Sequence, residues 1–404
     1  MDTLFTSKAT KRCQAIVVLP VCNEEERLGA CLQALHGQSV PYHAYELLLF
    51  LNNCTDESAA IAHQFQQRHP NLSLHIAQQT LPQAQANVGT ARKMLMDEAW
   101  LRAGESGAIL STDGDTAVAP DWVEMNLKQL HAGSELVGGE IALAGRDLAR
   151  LPERARAQHE ADREYQQAVT LLESLLDPDP HDPWPRHHHH FGASLACTTA
   201  FYRRVGGLPQ VDCLEDVALV EAARRADARV RHCPAVKVVT AARMAGRARI
   251  GLASQLREWQ GAPEEPLVDS AAFLKLYFSI RHQLRRVWEG QSRRSAAASA
   301  MLSALGMSEA ALDRVMERCA TFGALQDALD LRATLWRQMA RGQHATRRLA
   351  ATRDITALTA RLCAAEHLAG SVTDGTLRDY AIPGGSENSH APDLRWPDSR
   401  QLLA

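Results

Sequence analysis

The sequence predicts an α/β fold: a mostly parallel, twisted sheet flanked by helices, followed by a helical C-terminal region. Three observations predict it. Short apolar runs rich in Ile, Val and Leu recur through the first half of the chain, with helical patterns between them. The runs are near-continuous rather than alternating, as strands covered on both faces require. From Ala253 onward the pattern becomes almost purely helical.

In order, Ala15 to Leu19, stopped by Pro20, predicts a buried strand. Glu24 to Leu35 predicts a helix, with carboxylates in its first turn and Leu28, Cys31, Leu32 and Leu35 on one face. Tyr45 to Leu51 reads as a second strand closed by the polar group Asn52 to Asp56, and Leu72 to Ile76 as a third. A helix from Val88 to Leu101 leads into a fourth strand, Ala108 to Thr112. Leu136 to Leu143 reads as a fifth strand and Asp147 to Leu176 as a charged helix. The segment DPDPHDPWPRHHHH, residues 177–190, has four prolines and predicts a loop. Phe191 to Arg203 and Ala228 to Thr240 are strand-like on either side of GGLPQVDCLED. Phe273, Leu276, Ile280, Leu284 and Val287 then recur at the spacing of one buried helical face. These patterns divide the chain into an N-terminal tail (1–13), a sheet domain (14–250), a helical region (251–369) and a tail (370–404) whose Ser, Gly, Pro and Asp content predicts mobility.

Composition narrows the functional classes. Apolar residues are 46% and charged residues 23% of the 404, which is ordinary globular usage. A net charge of −3 argues against a nucleic-acid partner, which needs a basic face for phosphates. The nine cysteines form no CxxC pair, so neither a zinc site nor a redox dithiol is indicated. The opening MDTLFTSKATKRCQ has no apolar run of signal-peptide length, and no stretch approaches a membrane span. A cytoplasmic location is the expectation.

Sheets of this kind bind ligands at the carboxyl ends of their strands, which directs attention to Pro20 to Glu24, Asn52 to Asp56 and Asp113 to Asp115. In STDGDTAVAPDWV, Asp113 and Asp115 flank a glycine directly after a strand. Two carboxylates so spaced on a turn can hold a hard divalent ion, Mn2+ or Mg2+, which bridges the diphosphate of a bound nucleotide. Such an ion neutralises the charge that grows on a departing diphosphate. Beyond the last strand, Arg243, Arg247 and Arg249 supply cations for that diphosphate, with the alternative of a solvated basic face. His187 to His190, preceded by His181 and Asp182, close the proline-rich loop. Adjacent residues on extended chain point in alternate directions, so at most two of the four can serve one ion. Between an acceptor pocket, a metal ligand and an exposed polar loop, an acceptor-side role is favoured, with His188 and His190 as its candidates. The arginines at 281, 285, 286, 293 and 294 offer a surface for anionic lipid, although such a run is more often a solvated helix face.

Taken together, IVVLPVCNEEERLGACLQAL, LLLFLNNCTDESAAIA, NVGTARKMLMDEA, ILSTDGDTAVAPDWV, FYRRVGGLP and LED resemble, in order and over roughly residues 14 to 250, a family 2 glycosyltransferase with the GT-A type of nucleotide-sugar-binding fold. The resemblance implies that Pro20, Asn23 and Glu24 line the nucleotide pocket and that Arg92 contacts diphosphate or sugar. Asn53 stands where the family has an aspartate that reads the base; an amide both donates and accepts, so the usual preference for uracil does not carry over. Asp113 and Asp115 fall on the family's metal and diphosphate motif. Glu215 and Asp216 match the acidic pair that supplies the general base of inverting members, with Asp216 preferred; its structural alternative is a helix cap. QLREW resembles the QxxRW motif of processive members, in which Trp259 would border the acceptor, but Glu258 stands where the arginine belongs, and a place for Trp259 in the core is the favoured alternative. The implied activity is a metal-dependent, inverting transfer of a sugar, a hexose by expectation, from a nucleoside diphosphate to a hydroxyl-bearing small molecule or lipid. A nucleotidyltransferase would need a glycine-rich loop after the first strand, where this chain has VCNEEER. A noncatalytic nucleotide-sugar-binding protein would leave Asp216 a structural role.

Overall fold

A computed structural model describes residues 4–5, 13–246, 249–291, 295–339 and 342–370. Ala15–Val21 forms β1, buried along its whole length, and Leu28–His36 forms α1. Tyr45–Asn52 (β2), Ser58–Arg68 (α2), Leu74–Gln79 (β3), Val88–Ala103 (α3) and Ala108–Ser111 (β4) continue the alternation. Thr116–Val118 (β5), Trp122–His131 (α4), Leu136–Leu143 (β6), Gly145–Leu148 (α5) and Glu153–Leu176 (α6) follow. After the loop come Leu195–Thr198 (β7), Thr199–Arg204 (α7), Glu215–Arg225 (α8) and Val230–Thr240 (β8).

These strands make one eight-stranded sheet in the order β3-β2-β1-β4-β7-β6-β8-β5. β1, β2, β3 and β4 pair in parallel, as do β6 and β8, while β7 and β5 run against their neighbours. Six strands therefore share one direction and two oppose it, which is the mostly parallel sheet expected. Strand periodicity sorts β1 between two cores. Ala15, Val17, Leu19 and Val21 pack with Leu28 and Leu32 of α1 and Trp122 of α4, whereas Ile16 and Val18 pack with Leu95 of α3 and Phe201 of α7.

Local deviations from the sequence reading have physical causes. Pro20 does not stop β1, because the pairing with β4 ends at Val18 opposite Ser111 and the absent N–H lies beyond that ladder. α1 starts at Leu28 rather than Glu24, after a turn in which the Arg27 and Leu28 amides donate to the Glu24 carbonyl. Pro152 divides the predicted helix over 147–176 into α5 and α6, since its ring cannot sit inside a helix. In the strand-like run 191–203 only β7 is extended; the Thr198 hydroxyl then accepts from the Phe201 amide at 3.1 Å and starts α7.

The helical region begins with Leu252–Gly261 (α9) and contains Ala271–Trp288 (α10), on which Phe273, Ile280, Leu284 and Val287 are buried as predicted and Leu276 is partly so. Between them Leu267–Asp269 (β9) pairs antiparallel with Ala345–Arg347 (β10). Four further helices, Ala296–Leu305 (α11), Glu309–Met316 (α12), Phe322–Ala328 (α13) and Leu331–Gln338 (α14), close a core on α10. Arg348–Gly370 (α15) packs with α6 and α10 through Ala351, Ile355, Tyr165, Leu172 and Phe278. The tail expected at 370–404, apart from Gly370, lies outside the described residues, as do most of residues 1–13.

Candidate functional site

The parallel strands deliver three loops to one end of the sheet. Asn23, just after β1, and Asn53, just after β2, both sit in left-handed backbone, with φ of 56° and 55°. Asparagine tolerates that region better than other non-glycine residues. Each amide is clamped to a neighbouring loop. Asn23 Oδ1 accepts from the Thr55 amide at 2.7 Å and Nδ2 donates to Thr55 Oγ1 at 3.2 Å. Asn53 Nδ2 donates to the Leu81 carbonyl at 2.9 Å while Oδ1 accepts from the Leu81 amide at 3.0 Å. An aspartate could accept there but not donate, so the asparagine fits a strap between the loops after β2 and β3.

After β4, Asp113, Gly114 and Asp115 turn against β1. A Cβ at Gly114 would lie 3.1 Å from Val21 Cγ2 and 3.2 Å from Glu24 Cγ, so the glycine lets the carboxylate pair approach Glu24 closely. Beneath them the buried Cys31 thiol donates to the Asp113 carbonyl at 3.5 Å. Burial, and then Asp115, Asp113 and Glu24, push that thiol's pKa up. Pro20 is buried in β1 with its carbonyl toward Gly114.

Arg92, on α3, organises the other side of the cleft. Its side chain is 4% exposed and its donors are engaged within the protein: Nε with Glu215 at 3.0 Å, Nη2 with Asp113 at 2.8 Å, and Nη1 with Ser111 Oγ at 2.5 Å and the Gly192 carbonyl at 3.2 Å. Burial opposes its charge, but Asp113 and Glu215 outweigh burial and hold the guanidinium firmly protonated. The Gly192 amide donates to Asp216 Oδ2 at 2.7 Å, so one glycine joins Arg92 to Asp216 through its two backbone groups. A Cβ at Gly192 would come within 2.5 Å of Arg92 Nη2, which is why a glycine stands there. Glu215 is 3% exposed and faces Arg92, whereas Asp216 is only partly buried. Asp216 lies inside the first turn of α8, its Oδ1 accepting from the Val217 amide at 2.8 Å; the cap position belongs to Leu214. Leu214 has φ 59°, a left-handed conformation that costs a leucine about 1–3 kcal/mol and that clusters at functional sites.

Arg243 enters from the segment after β8, and its Nη2 meets Glu24 at 2.8 Å and Asp115. Arg249 is exposed, and Arg247 lies outside the described residues. The four histidines precede Phe191 and Gly192 in the chain. His188 and His189 rings stand 4.2 Å apart, and His190 lies 5.2 Å from Phe191 and 5.9 Å from His232. Burial lowers all four pKa values, to about 3, 2 and 3 for His187, His188 and His189, so the imidazoles are neutral at physiological pH. For His190, Asp216 is close enough to oppose that shift. Asp182 anchors the loop: it is 4% exposed and accepts from Arg186 at 2.7 Å, from Arg231 at 3.0 Å and from the His232 amide at 2.9 Å.

Position bears on two further sequence readings. Trp259 is 8% exposed and packs with Leu151, Ala155, Ala242 and Leu256, with Arg348 5.5 Å from its ring, which is the core alternative weighed for it. Arg281 and Arg285 do not form an open basic face, because both pair with the buried Asp177, at 2.5 and 3.2 Å. Arg293 and Arg294 lie outside the described residues. Sequence reading missed Gly192, Ser111 and Leu214. Only the FGAS run directly after the histidines, a small-residue cluster before a strand, offered a signal for the first of them.

A divalent ion fits these residues in a limited way. Among the described residues no three side chains of metal-ligating type converge. Asp113 and Asp115 are hard oxygen donors, 32% and 19% exposed, that could fill part of an octahedral shell, and phosphate oxygens and water would complete it.

Residues 16–182 match the model of glycosyl transferase family 2. Glycosyltransferase AglE of Haloferax volcanii is 32% identical over 127 residues, 31% of this chain and 38% of AglE. The chain thus spans well under half the length of that relative. Among solved structures, the Pyrobaculum calidifontis mannosyltransferase PcManGT in complex with GDP-Man and Mn2+ covers 83% of this chain and 91% of its own at 16% identity, with a TM-score of 0.41. S. aureus TarS in complex with UDP-GlcNAc covers 83% and 96% at 14% identity, with a TM-score of 0.42. The matched residues 16–182 carry the loops after β1, β2 and β4, so this part of the chain is similar to glycosyl transferase family 2.

Proposed function

We propose that the chain transfers a sugar from a nucleoside diphosphate to an acceptor hydroxyl with inversion at the anomeric carbon. One observation carries the reading: a buried arginine, Arg92, holds Asp113 directly and Asp216 through Gly192, so a diphosphate site and a carboxylate base share one rigid support. The nucleotide lies against Pro20, Asn23 and Glu24. Asn53 shapes that pocket by holding Leu81, which leaves the choice of base to other groups. A divalent ion held by Asp113 and Asp115 would neutralise the charge on the leaving diphosphate. Arg92 orients both carboxyl groups, Glu215 being its buried counter-ion. The acceptor, a small molecule or a lipid bearing a hydroxyl, sits on the side of His188, His190 and Phe191.

In the transfer, the acceptor oxygen attacks the anomeric carbon while Asp216 takes its proton. The bond from that carbon to the diphosphate breaks, and the diphosphate leaves with the electron pair. The base matters because an alcohol is a poor nucleophile, and a carboxylate in hydrogen-bond reach is worth about 10²–10⁴ in rate. Asp216 Oδ2 already accepts from Gly192, which fixes the orientation of the carboxylate. No described helix is long and apolar enough to cross a membrane. A lipid acceptor would therefore be met at a membrane surface.

The test starts from a panel of UDP, GDP and dTDP sugars screened for Mn2+-dependent thermal stabilisation, which identifies the donor because only ligands bound by the native cleft raise the melting temperature. With that donor, Asp216→Asn is expected to bind as wild type and lose turnover by about 10²–10⁴. Undiminished turnover with binding intact would remove Asp216 from the reaction and return it to a structural role.

A further inference from the structure

Both carboxylates of the Asp113–Asp115 pair face an arginine, and the two arginines differ in kind. Arg92 is 4% exposed and anchored by four partners, whereas Arg243 is 28% exposed and reaches Glu24 and Asp115 through a single nitrogen, Nη2. Nη2 lies 3.0 Å from Glu24 Oε1 and 2.8 Å from Glu24 Oε2 and also bonds Asp115 Oδ2. Burial disfavours its charge, but Asp115 and Glu24 more than compensate, so the guanidinium is a fixed positive charge between two carboxylates. Those carboxylates would otherwise repel each other across a small space. The chain holding Arg243 is tied down just before it, where the Ala242 amide donates to Asp147 Oδ2 at 3.1 Å, while residues 244–246 beyond it lie in no helix or strand.

We infer that Arg243, held by Glu24, is an internal counter-cation, which occupies the divalent ion's place on Asp115 in the donor-free protein and gives it up when metal and nucleoside diphosphate arrive together. The inference rests on the metal-binding part of the proposed function. A guanidinium in hydrogen-bond contact with a carboxylate repels a dication approaching the same oxygen, and two like charges a few ångströms apart interact strongly in a partly buried site. A diphosphate reverses the balance. It brings oxygen ligands for the ion and offers the displaced guanidinium a new anion, with the bidentate geometry arginine favours. Metal and nucleotide affinities are therefore coupled through one side chain, and by linkage the coupling is reciprocal.

Mn2+ alone, titrated into the full chain and followed by calorimetry and by the loss of the free-ion EPR signal, tests this. Wild type is expected to bind weakly. Arg243→Gln and Arg243→Met, which remove the charge and keep the stem, are expected to bind Mn2+ at least about tenfold more tightly, some 1.4 kcal/mol. Arg243→Lys, which keeps the charge, should stay near wild type, and Asp115→Asn added to Arg243→Gln should return the affinity to the wild-type level. Equal Mn2+ affinity in wild type and in whichever neutral variant keeps the wild-type circular dichroism overturns the inference, as does tight Mn2+ binding by wild type without nucleotide. Either outcome leaves the proposed transfer standing. By contrast, no Mn2+ binding in any variant, with or without UDP or GDP, removes the metal from the proposed function itself.

Discussion

Asn53 illustrates how one atom's chemistry decides a residue's part. In family 2 an aspartate is expected there as a reader of the base, and sequence alone left the substitution as an open question of nucleotide preference. The structure supplies another reason for the amide: it both donates to and accepts from Leu81, across the gap between the loops after β2 and β3. Asn53→Asp would set a carboxylate oxygen 2.9 Å from the Leu81 carbonyl, where a donor now stands. Losing that bond and leaving the carbonyl without its donor is expected to cost about 1–3 kcal/mol. Denaturant unfolding with an unchanged slope is the measurement. A variant as stable as wild type would mean that the strap carries no weight and that position 53 is free to face the nucleotide. The same logic separates Glu215 from Asp216. Adjacent in sequence, they are equivalent as a motif, but only the fold buries one against Arg92 and leaves the other partly exposed beside Gly192.

At the scale of elements, much was legible because each signal was local. The buried strands, the helices between them and the 177–190 loop follow from apolar runs, periodicity and prolines, and most are found with ends shifted by a few residues, although the helix over 147–176 is divided and the run 191–203 is extended only at Leu195–Thr198. β5 escaped because three residues, Thr116–Val118, form a strand only by pairing with β8, more than a hundred positions away. The site was legible as residue types after strand ends. Its wiring was not, since Arg92 meets Gly192 and Glu215 only through folding. Likewise the arginines of α10 read as a free basic face, yet Asp177 at the end of α6 gathers Arg281, Arg285 and His282. Glu173 joins Arg281 to Arg186, and Arg186 bonds Asp182 in the histidine loop. An ion-pair chain thus runs from the helical region to that loop. Asp177 has no exposed side-chain surface, and removing one partner of a buried pair typically costs about 3–5 kcal/mol. Asp177→Asn should lose stability on that order. Arg285→Gln, a partner with 30% exposure, should lose less than about 1 kcal/mol. Equal losses would show that the chain is ornamental surface pairing rather than a strut.

Across the whole molecule, the histidines set how stability responds to acid. His187, His188 and His189 have folded pKa values near 3, 2 and 3 because burial disfavours the imidazolium, against an ordinary value of 6.5. His36, His75, His159 and His190 are lowered as well, burial again being the largest cause. The sign follows from proton counts. Between the two pKa values the unfolded chain binds protons that the folded one refuses, so stability is fully present above about pH 6.5 and is lost as pH falls toward the folded values. Asp182, whose burial is outweighed by His232 and Arg186 so that its pKa falls, acts in the same direction but only below the ordinary carboxylate range. Glu140, raised by burial, opposes the trend near its own pKa. The window from pH 6.5 to 4.5 therefore belongs mainly to the imidazoles. The limiting slope is about 1.4 kcal/mol per pH unit for each fully refused proton, and partial exposure and mutual coupling bring it to about 1. Melting temperature is expected to fall steeply from pH 7 to 5. His188→Asn, which removes the most depressed group, should flatten the fall measurably while costing some packing at pH 7. A profile level across that range in wild type would mean that water reaches the loop and that these rings are not held neutral by the fold.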